Sequence, residues 1–358
     1  MMADSEMQVT ESLVDTFRIL DAAANRTREG LRVIEDFVRF GLNGGYLSQV
    51  LKVCRHELAS IIGQLPQGRL LAARDTLNDV GTTNSTPAEY QRTSPLDVVC
   101  AAFKRVQEAL RTLEEYSKLV DPSLSPRLEQ LRYRLYTAEK AVLRTESARQ
   151  CLRDQRLYVL IEASQCELGF EAVVQAALDG GVRLFQLREK SLNDRELVCQ
   201  ARRLREWTLA KGALLIINDR PDIAVLAAAD GVHVGQDELT VQDARRIVGP
   251  DRLVGVSTHS IEQARQAVLD GADYLGVGPT FPSHTKTFAE FPSLPYVRDV
   301  AAEIQLPWFA IGGIDLHNVT DVARAGAARV AVSSVVCRSS SPAVAARDLI
   351  AALTRSTP

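Results

Sequence analysis
From Arg156 onward the chain repeats one pattern eight times: a short apolar run, then roughly 10 to 15 residues with helical spacing. The runs RLYVLIEA, VRLFQLRE, LLIIND, GVHVG, LVGVST, YLGVGP, PWFAIGG and RVAVSS begin near residues 156, 182, 214, 231, 253, 274, 307 and 329. Strands that alternate with helices belong to a parallel sheet, because each parallel connection needs a crossover. Eight such units in about 200 residues fit one closed (β/α)8 barrel. An open doubly wound sheet usually has fewer strands and a glycine-rich phosphate loop after the first. Neither G-x-G-x-x-G nor G-x-x-x-x-G-K-[ST] occurs in the sequence.

The chain reads differently before residue 152. Residues 12 to about 150 place apolar side chains three and four apart, and almost no alternating strand pattern is present. The expected organisation is an all-helical domain over 1–152 and an α/β barrel over 153–358. The polar, turn-rich stretch NDVGTTNSTPAEYQRTS predicts a long loop. An internal echo links the helices: Arg26, Glu29, Leu31, Arg32, Glu35, Asp36 and Phe37 recur 79 residues later as Arg105, Glu108, Leu110, Arg111, Glu114, Glu115 and Tyr116. Two readings fit. The charged groups meet across a pseudo-symmetric bundle and build a polar pocket, or they form solvated ion pairs along each helix.

The whole chain has 358 residues, 46% hydrophobic and 24% charged, with a formal net charge of −3. This composition is that of a globular protein and argues against a general polyanion binder, so no nucleic-acid partner is expected. No apolar run is long enough for a membrane span, and the first residues lack a secretory pattern, so the expected location is cytoplasmic. The six cysteines are scattered without a C-x-x-C pair, which predicts buried free thiols rather than zinc ligands or disulfides. Isolated histidines at 233, 259, 284 and 317 lack metal-ligand spacing. His233 falls within the fourth strand, as a core or barrel-lining residue.

A barrel predicts that chemistry sits at the carboxyl ends of its strands. Polar residues do fall there in the sequence. Gln186, Arg188 and Lys190 close the second strand, Asn218 and Asp219 the third, and Gln236, Asp237 and Glu238 follow the fourth. Ser257, Thr258 and His259 close the fifth, Ser283, Thr285 and Lys286 follow the sixth, Gly312 and Gly313 the seventh, and Ser333 and Ser334 the eighth. Burying polar groups at every strand end is costly for a merely structural barrel. Gln186, Arg188 and Lys190 alternate, so they project from one side, and two cations there suit a diphosphate. Asn218, Asp219 and Glu238 are hard oxygen ligands of the kind Mg²⁺ takes alongside substrate phosphates. The glycines after strand seven and serines after strand eight match a barrel phosphate cradle. Two phosphorylated substrates are implied.

The segments QLREK, IINDRPDIA, ADGVHVGQDEL, GVSTHS, GPTFPSHTK, AIGGI and the closing serine pair, in that order, resemble thiamine-phosphate synthase. The resemblance covers 156 to about 355. It implies a Mg²⁺-dependent transferase that joins a hydroxymethylpyrimidine diphosphate to a thiazole phosphate, with release of diphosphate. It implies that Gln186, Arg188, Lys190, Asn218, Ser257 and Lys286 contact the pyrimidine diphosphate. Asp219 and Glu238 would bind the metal, and Ser283, Thr285, Gly313, Ser333 and Ser334 the thiazole phosphate. Arg188, Lys190, Ser257 and Lys286 would act in catalysis. Glu238 stands where aspartate is usual, with Asp237 adjacent, and Ser283 where threonine is usual. The partners expected are these small molecules, with a homo-oligomer possible. The stretches NRTREGLRVIEDFVRF and ARDTLNDVGT resemble a helical domain fused to such barrels, which implies a pyrimidine phosphate kinase, although an oligomerisation or docking role stands beside it. In that domain Arg26, Arg28, Glu29, Arg32, Asp36, Arg74, Asp75 and Asp79 are the candidate ligand contacts. The alternatives for the whole chain are a thiazole tautomerase on the same barrel and a sensor of thiamine precursors without turnover.

Overall fold
The computed structural model describes residues 2–83, 91–282 and 293–356. The chain divides into two compact units, 1–142 and 143–358, and the division falls inside the helix Ser125–Cys151.

The first unit is helical. Its long elements are α1 (Met2–Asp36), α2 (Gly45–Ile62), the short α3 (Gln67–Ala72), α4 (Pro95–Ser117) and the first part of α5 (Ser125–Cys151). A π-helical turn, Phe37–Gly41, ends α1. Ser94 caps α4 by accepting the Asp97 amide at 3.1 Å, and Pro95 follows at the first helical position, where no amide hydrogen bond is lost. α1 and α4 approach closely because Gly30 has no side chain: a Cβ there would stand 2.4 Å from Val106 Cγ2.

The sequence echo becomes a repeated ion pair between helices. Arg55 Nε on α2 donates to Glu35 Oε2 on α1 at 3.0 Å, and Arg132 Nε on α5 donates to Glu114 Oε2 on α4 at 2.9 Å. Each glutamate is also met by the arginine three residues earlier, Arg32 and Arg111. Glu35 and Glu114 are each only 4% exposed, so they need these partners. Pairs along each helix therefore occur at Glu35 and Glu114, while their partners on other helices, Arg55 and Arg132, come from outside the echo. The echoed residues Arg26, Glu29, Arg105 and Glu108 instead face solvent. The ARDTLND segment lies along α1: Arg74 makes a bidentate pair with Asp21 at 2.7 and 2.8 Å, and Arg18 donates to the Asp75 carbonyl at 2.8 Å.

The second unit is a closed barrel of eight parallel strands with sequential neighbours, among the described residues. The strands are β1 (Leu157–Ile161), β2 (Leu184–Leu187), β3 (Leu214–Asn218), β4 (Gly231–Val234), β5 (Leu253–Thr258), β6 (Tyr274–Val277), β7 (Trp308–Ile311) and β8 (Val330–Val332). The outer helices are α6 (Phe170–Asp179), α7 (Asp194–Ala210), α8 (Pro221–Leu226), α9 (Val241–Val248), α10 (Ile261–Asp270), α11 (Ser293–Glu303), α12 (Val319–Arg324), α13 (Ser334–Cys337) and α14 (Pro342–Ser356). Asn193 and Glu196 form a capping box at the start of α7, and Ser260 caps α10.

Tyr158, Leu184, Ile216, Leu253, Tyr274, Phe309 and Ala331 fill the barrel interior, and Leu152 joins them. This is the layered packing of side chains from successive strands. Large and small residues share the space: a Cβ on Gly255 would lie 2.1 Å from Tyr274 Cζ. Two aspartates brace the amino ends of strands. Asp230 Oδ2 accepts from Leu215 N at 2.8 Å and from Arg205 on α7 at 2.6 Å. Asp273 repeats the arrangement with Val254 N and Arg245 on α9. Buried free thiols hold for Cys54, Cys166 and Cys337, but Cys100 is half-buried and Cys151 and Cys199 are exposed. No helix among the described residues is long and apolar enough to cross a membrane.

Candidate active site
Side chains alternate along a strand, so each inward core residue predicts the inward residue two positions on. From Leu184 the step leads to Gln186, from Ile216 to Asn218, and from Leu253 through Gly255 to Ser257. From Gly231, paired to Leu253, it leads to His233. The parity that packs the core thus carries polar groups to one end of the barrel.

Three residues not named as site residues from the sequence join Gln186 to Ser257. Gln186 Nε2 donates to Tyr158 Oη at 2.6 Å, and the Tyr158 and Tyr274 hydroxyls are 2.9 Å apart. His233 Nδ1 lies 3.2 Å from Tyr274 Oη, and its Nε2 lies 3.0 Å from Ser257 Oγ. The two tyrosines are 2% and 0% exposed, and burial raises both phenol pKa values, so both stay protonated. Each hydroxyl has one hydrogen to give. Tyr158 accepts from Gln186 and gives to Tyr274, and Tyr274 gives to His233 Nδ1. His233 then carries its proton on Nε2 and donates to Ser257. In that arrangement Ser257 accepts from His233, and its own hydrogen is not spent on the ring. A barrel-lining role for His233, the reading its place in strand four suggested, therefore has a definite partner on each ring nitrogen. The tyrosines gave no sequence signal beyond an apolar strand.

Asp219 follows β3 in the left-handed region, φ +59°. Its amide donates to the His233 carbonyl at 2.8 Å, and its carboxylate accepts from Asn218 Nδ2 at 2.6 Å. Burial and the nearby Glu238 charge push its carboxyl pKa up, while Asn218, Arg188 and Lys190 oppose the rise. These five residues therefore share one electrostatic neighbourhood. β2 stops at Leu187, yet the Arg188 amide still donates to the Ile161 carbonyl at 2.9 Å and prolongs the extended path. Between Arg188 and Lys190, Glu189 is held the other way, accepting from Ala163 N at 2.6 Å and Gln200 Nε2 at 2.9 Å. Glu238 folds back over Gly235, where a Cβ would lie 2.1 Å from Glu238 Oε2. Gln236 donates to the Ser257 carbonyl at 2.6 Å. Among the described residues no three His, Cys, Asp or Glu side chains cluster as a metal cage.

Gly312 and Gly313 adopt φ +103° and +60°, which glycine reaches without strain. They also make room: a Cβ on Gly313 would lie 2.5 Å from the Pro282 carbonyl oxygen. The loop after β6 is laced to them, with Thr280 N donating to Ile311 O at 2.9 Å and Phe281 N to Gly312 O at 3.0 Å. Ser333 and Ser334 stand where β8 passes into α13, Ser334 exposed and Ser333 half-buried. Ser283, His284, Thr285 and Lys286 lie outside the described residues. A groove of about 610 Å³ lies elsewhere, on the helical layer between α7 and α8, and none of the strand-end site residues lines it. Its arginine 220 is already paired with Asp194 and Asp222, so the strand ends remain the better candidate.

Residues 157–336 match the family model "Thiamine monophosphate synthase", and residues 18–141 match the "ThiD2 family". Thiamine-phosphate synthase of Nostoc sp. is 43% identical over 342 residues, covering 96% of this chain and 95% of the relative. That of Gloeobacter violaceus is 46% identical over 336 residues, covering 94% and 96%. The solved thiamine phosphate pyrophosphorylase of Pyrococcus furiosus is 30% identical with a TM-score of 0.53, covering 60% of this chain and 100% of that one. With both of its units matched and near full-length relatives at this identity, the chain belongs to the thiamine-phosphate synthase family.

Proposed function
We propose that the barrel joins 4-amino-2-methyl-5-(diphosphooxymethyl)pyrimidine to 4-methyl-5-(2-phosphooxyethyl)thiazole, giving thiamine phosphate and diphosphate. The observation that carries this reading is the meeting of Arg188, Lys190, Asn218, Asp219 and Glu238 at the strand ends of a chain in this family. In this reading Gln186, Arg188, Lys190, Asn218, Ser257 and Lys286 hold the pyrimidine diphosphate. Ser283, Thr285, Gly313, Ser333 and Ser334 hold the thiazole phosphate.

The donor set suits Mg²⁺, which takes one or two carboxylates and completes its shell with water and phosphate oxygens. Two carboxylates held together beside a half-buried site repel, and a divalent cation relieves that repulsion. Asp219 and Glu238 are the ligands we assign. Glu238 rather than Asp237 is chosen because its charge acts on Asp219. Mg²⁺ held there would neutralise charge on the departing diphosphate.

The bond between the pyrimidine methylene carbon and the diphosphate oxygen breaks, and the electron pair leaves with diphosphate. Arg188, Lys190 and Lys286 stabilise that developing charge. The aminopyrimidine spreads the positive charge left on the methylene carbon, and Ser257 offers its hydroxyl hydrogen to the pyrimidine. The thiazole nitrogen then attacks the same carbon. Gln186 and the phosphate contacts align the two partners, and the enclosed strand ends keep water from the cation.

For residues 1–142 the reading is phosphorylation of the pyrimidine phosphate to that diphosphate, supported by the ThiD2 family match. The test supplies the full chain with both barrel substrates and Mg²⁺ and follows diphosphate, with the product identified by mass. Release that needs both substrates and stops on chelation is expected. Folded protein that releases none sinks the assignment. A parallel incubation with ATP and the pyrimidine phosphate tests the first unit in the same way.

A further inference from the structure
Two buried thiols play no part in that chemistry. Cys166 lies in the turn after β1, and Cys337 ends α13 after β8. They are 8% and 0% exposed, and both are free. The chain holds them side by side from both flanks. Glu167 N donates to the Cys337 carbonyl at 3.2 Å, and Arg338 Nε donates to Gln165 Oε1 at 2.9 Å. Cys166 thus sits between two residues that are each tied to the end of α13. The Cys337 thiol reaches toward the Leu160 carbonyl at 3.5 Å, and Ser333 Oγ donates to its sulfur at 3.9 Å. Cys166 Sγ donates to the Glu162 carbonyl at 3.3 Å, so each thiol is held on a backbone segment that is tied to the other's. Two free thiols on backbone segments joined from both flanks are placed for oxidation to a disulfide.

We propose that Cys166 and Cys337 are a reversible oxidation site that a small hydroperoxide converts to a disulfide. One of the two thiols gives up its proton and its sulfur attacks the peroxide oxygen, the O–O bond breaks, and the leaving hydroxide takes that proton to become water. The sulfur of the second cysteine then attacks the sulfenic sulfur of the first. The S–O bond breaks, and hydroxide leaves with the second thiol's proton as a second water. Two thiols and one hydrogen peroxide give one disulfide and two waters. The linkage moves α13, whose Val336 and Cys337 amides donate to the Ser333 carbonyl at 3.0 and 2.9 Å. The expected consequence for substrate rests on the proposed phosphate role of Ser333 and Ser334.

The test uses the full chain carrying Cys151→Ser and Cys199→Ser, which removes the exposed thiols. Hydrogen peroxide should yield a peptide linked through 166 and 337, two hydrogens lighter than the reduced pair. Dithiothreitol should reverse it, and Cys166→Ser and Cys337→Ser should each abolish it. The oxidised protein should show a threefold or greater rise in KM for the thiazole phosphate, restored on reduction. Oxidation that leaves 166 and 337 unlinked overturns the proposal. A link with unchanged KM overturns its coupling to the site, provided Ser334→Ala raises that KM in the reduced protein. If Ser334→Ala has no effect, it is the phosphate cradle that fails, and the linkage alone decides the oxidation site.

Discussion
Tyr274→Phe removes one oxygen from the centre of the barrel and leaves the ring in place. That oxygen makes two hydrogen bonds, at 2.9 Å to Tyr158 and 3.2 Å to His233. The variant leaves the Tyr158 hydroxyl without an acceptor and His233 Nδ1 without its donor, in a core where Tyr158 is 2% exposed. A typical buried hydrogen bond contributes about 1 kcal/mol net, and a group left unsatisfied costs about 1–3 kcal/mol, so the loss is roughly 2–4 kcal/mol. For a unit of this size the melting temperature should fall by roughly 5–15 °C. Catalysis should also suffer, because His233 is no longer held with its proton on Nε2. In the other tautomer Ser257 must donate to His233 and turns its hydrogen from the substrate. Loss of that contact, about 1 kcal/mol, lowers kcat/KM about fivefold. Thermal unfolding and steady-state diphosphate release measure both effects. A double-mutant cycle with Ser257→Ala isolates the coupling, since both changes delete the same donor and the pair should be no worse than Ser257→Ala alone. Full kcat/KM for Tyr274→Phe, or losses that simply add, would refute the directed chain of hydrogen bonds.

Three further outcomes are expected. Asp219 has a raised carboxyl pKa, from burial first and Glu238 second, so the folded state holds its proton to higher pH than the unfolded state and this group's contribution to stability falls as pH rises through that window. Asp219→Asn should therefore be more stable than the parent at pH 7, with the difference gone only below the unfolded aspartate pKa, at about pH 3, while losing Mg²⁺-dependent turnover; urea titrations at both pH values check the sign. Gly235→Ala should drive the Glu238 carboxylate from its place, since the new Cβ would start 2.1 Å from Oε2, and the Mg²⁺ concentration for half-maximal rate should rise at least threefold in a metal titration. Glu114→Ala strands Arg132, whose side chain is 10% exposed, and should cost about 3–5 kcal/mol. Glu35→Ala strands the more exposed Arg55, at 25%, and should cost less in the same urea series.

The order and type of elements were legible in the chain itself. Eight runs of Val, Ile, Leu and Phe, each followed by a helical stretch, leave little choice but a parallel sheet closed on itself, because backbone pairing and burial act on every run alike. Position at the carboxyl end of a strand also marked Gln186, Asn218 and Ser257, since where an apolar run stops is a local property that needs no partner. Tertiary structure alone decided which groups meet. Tyr158 and Tyr274 are separated by 116 residues, yet their hydroxyls touch across the barrel. In sequence both look like ordinary strand aromatics, and only the gap left by Gly255 lets Tyr274 turn inward. The helical echo announced a repeat but not its pairing: the partners of Glu35 and Glu114 come from α2 and α5, at spacings of 20 and 18 residues that no helix period predicts. Likewise the scattered cysteines read as six equivalent thiols, and closure of the barrel, which brings β8 beside β1, is what sets Cys337 against Cys166. Periodicity is encoded residue by residue, whereas proximity between distant residues is created only when the sheet closes and the helices pack.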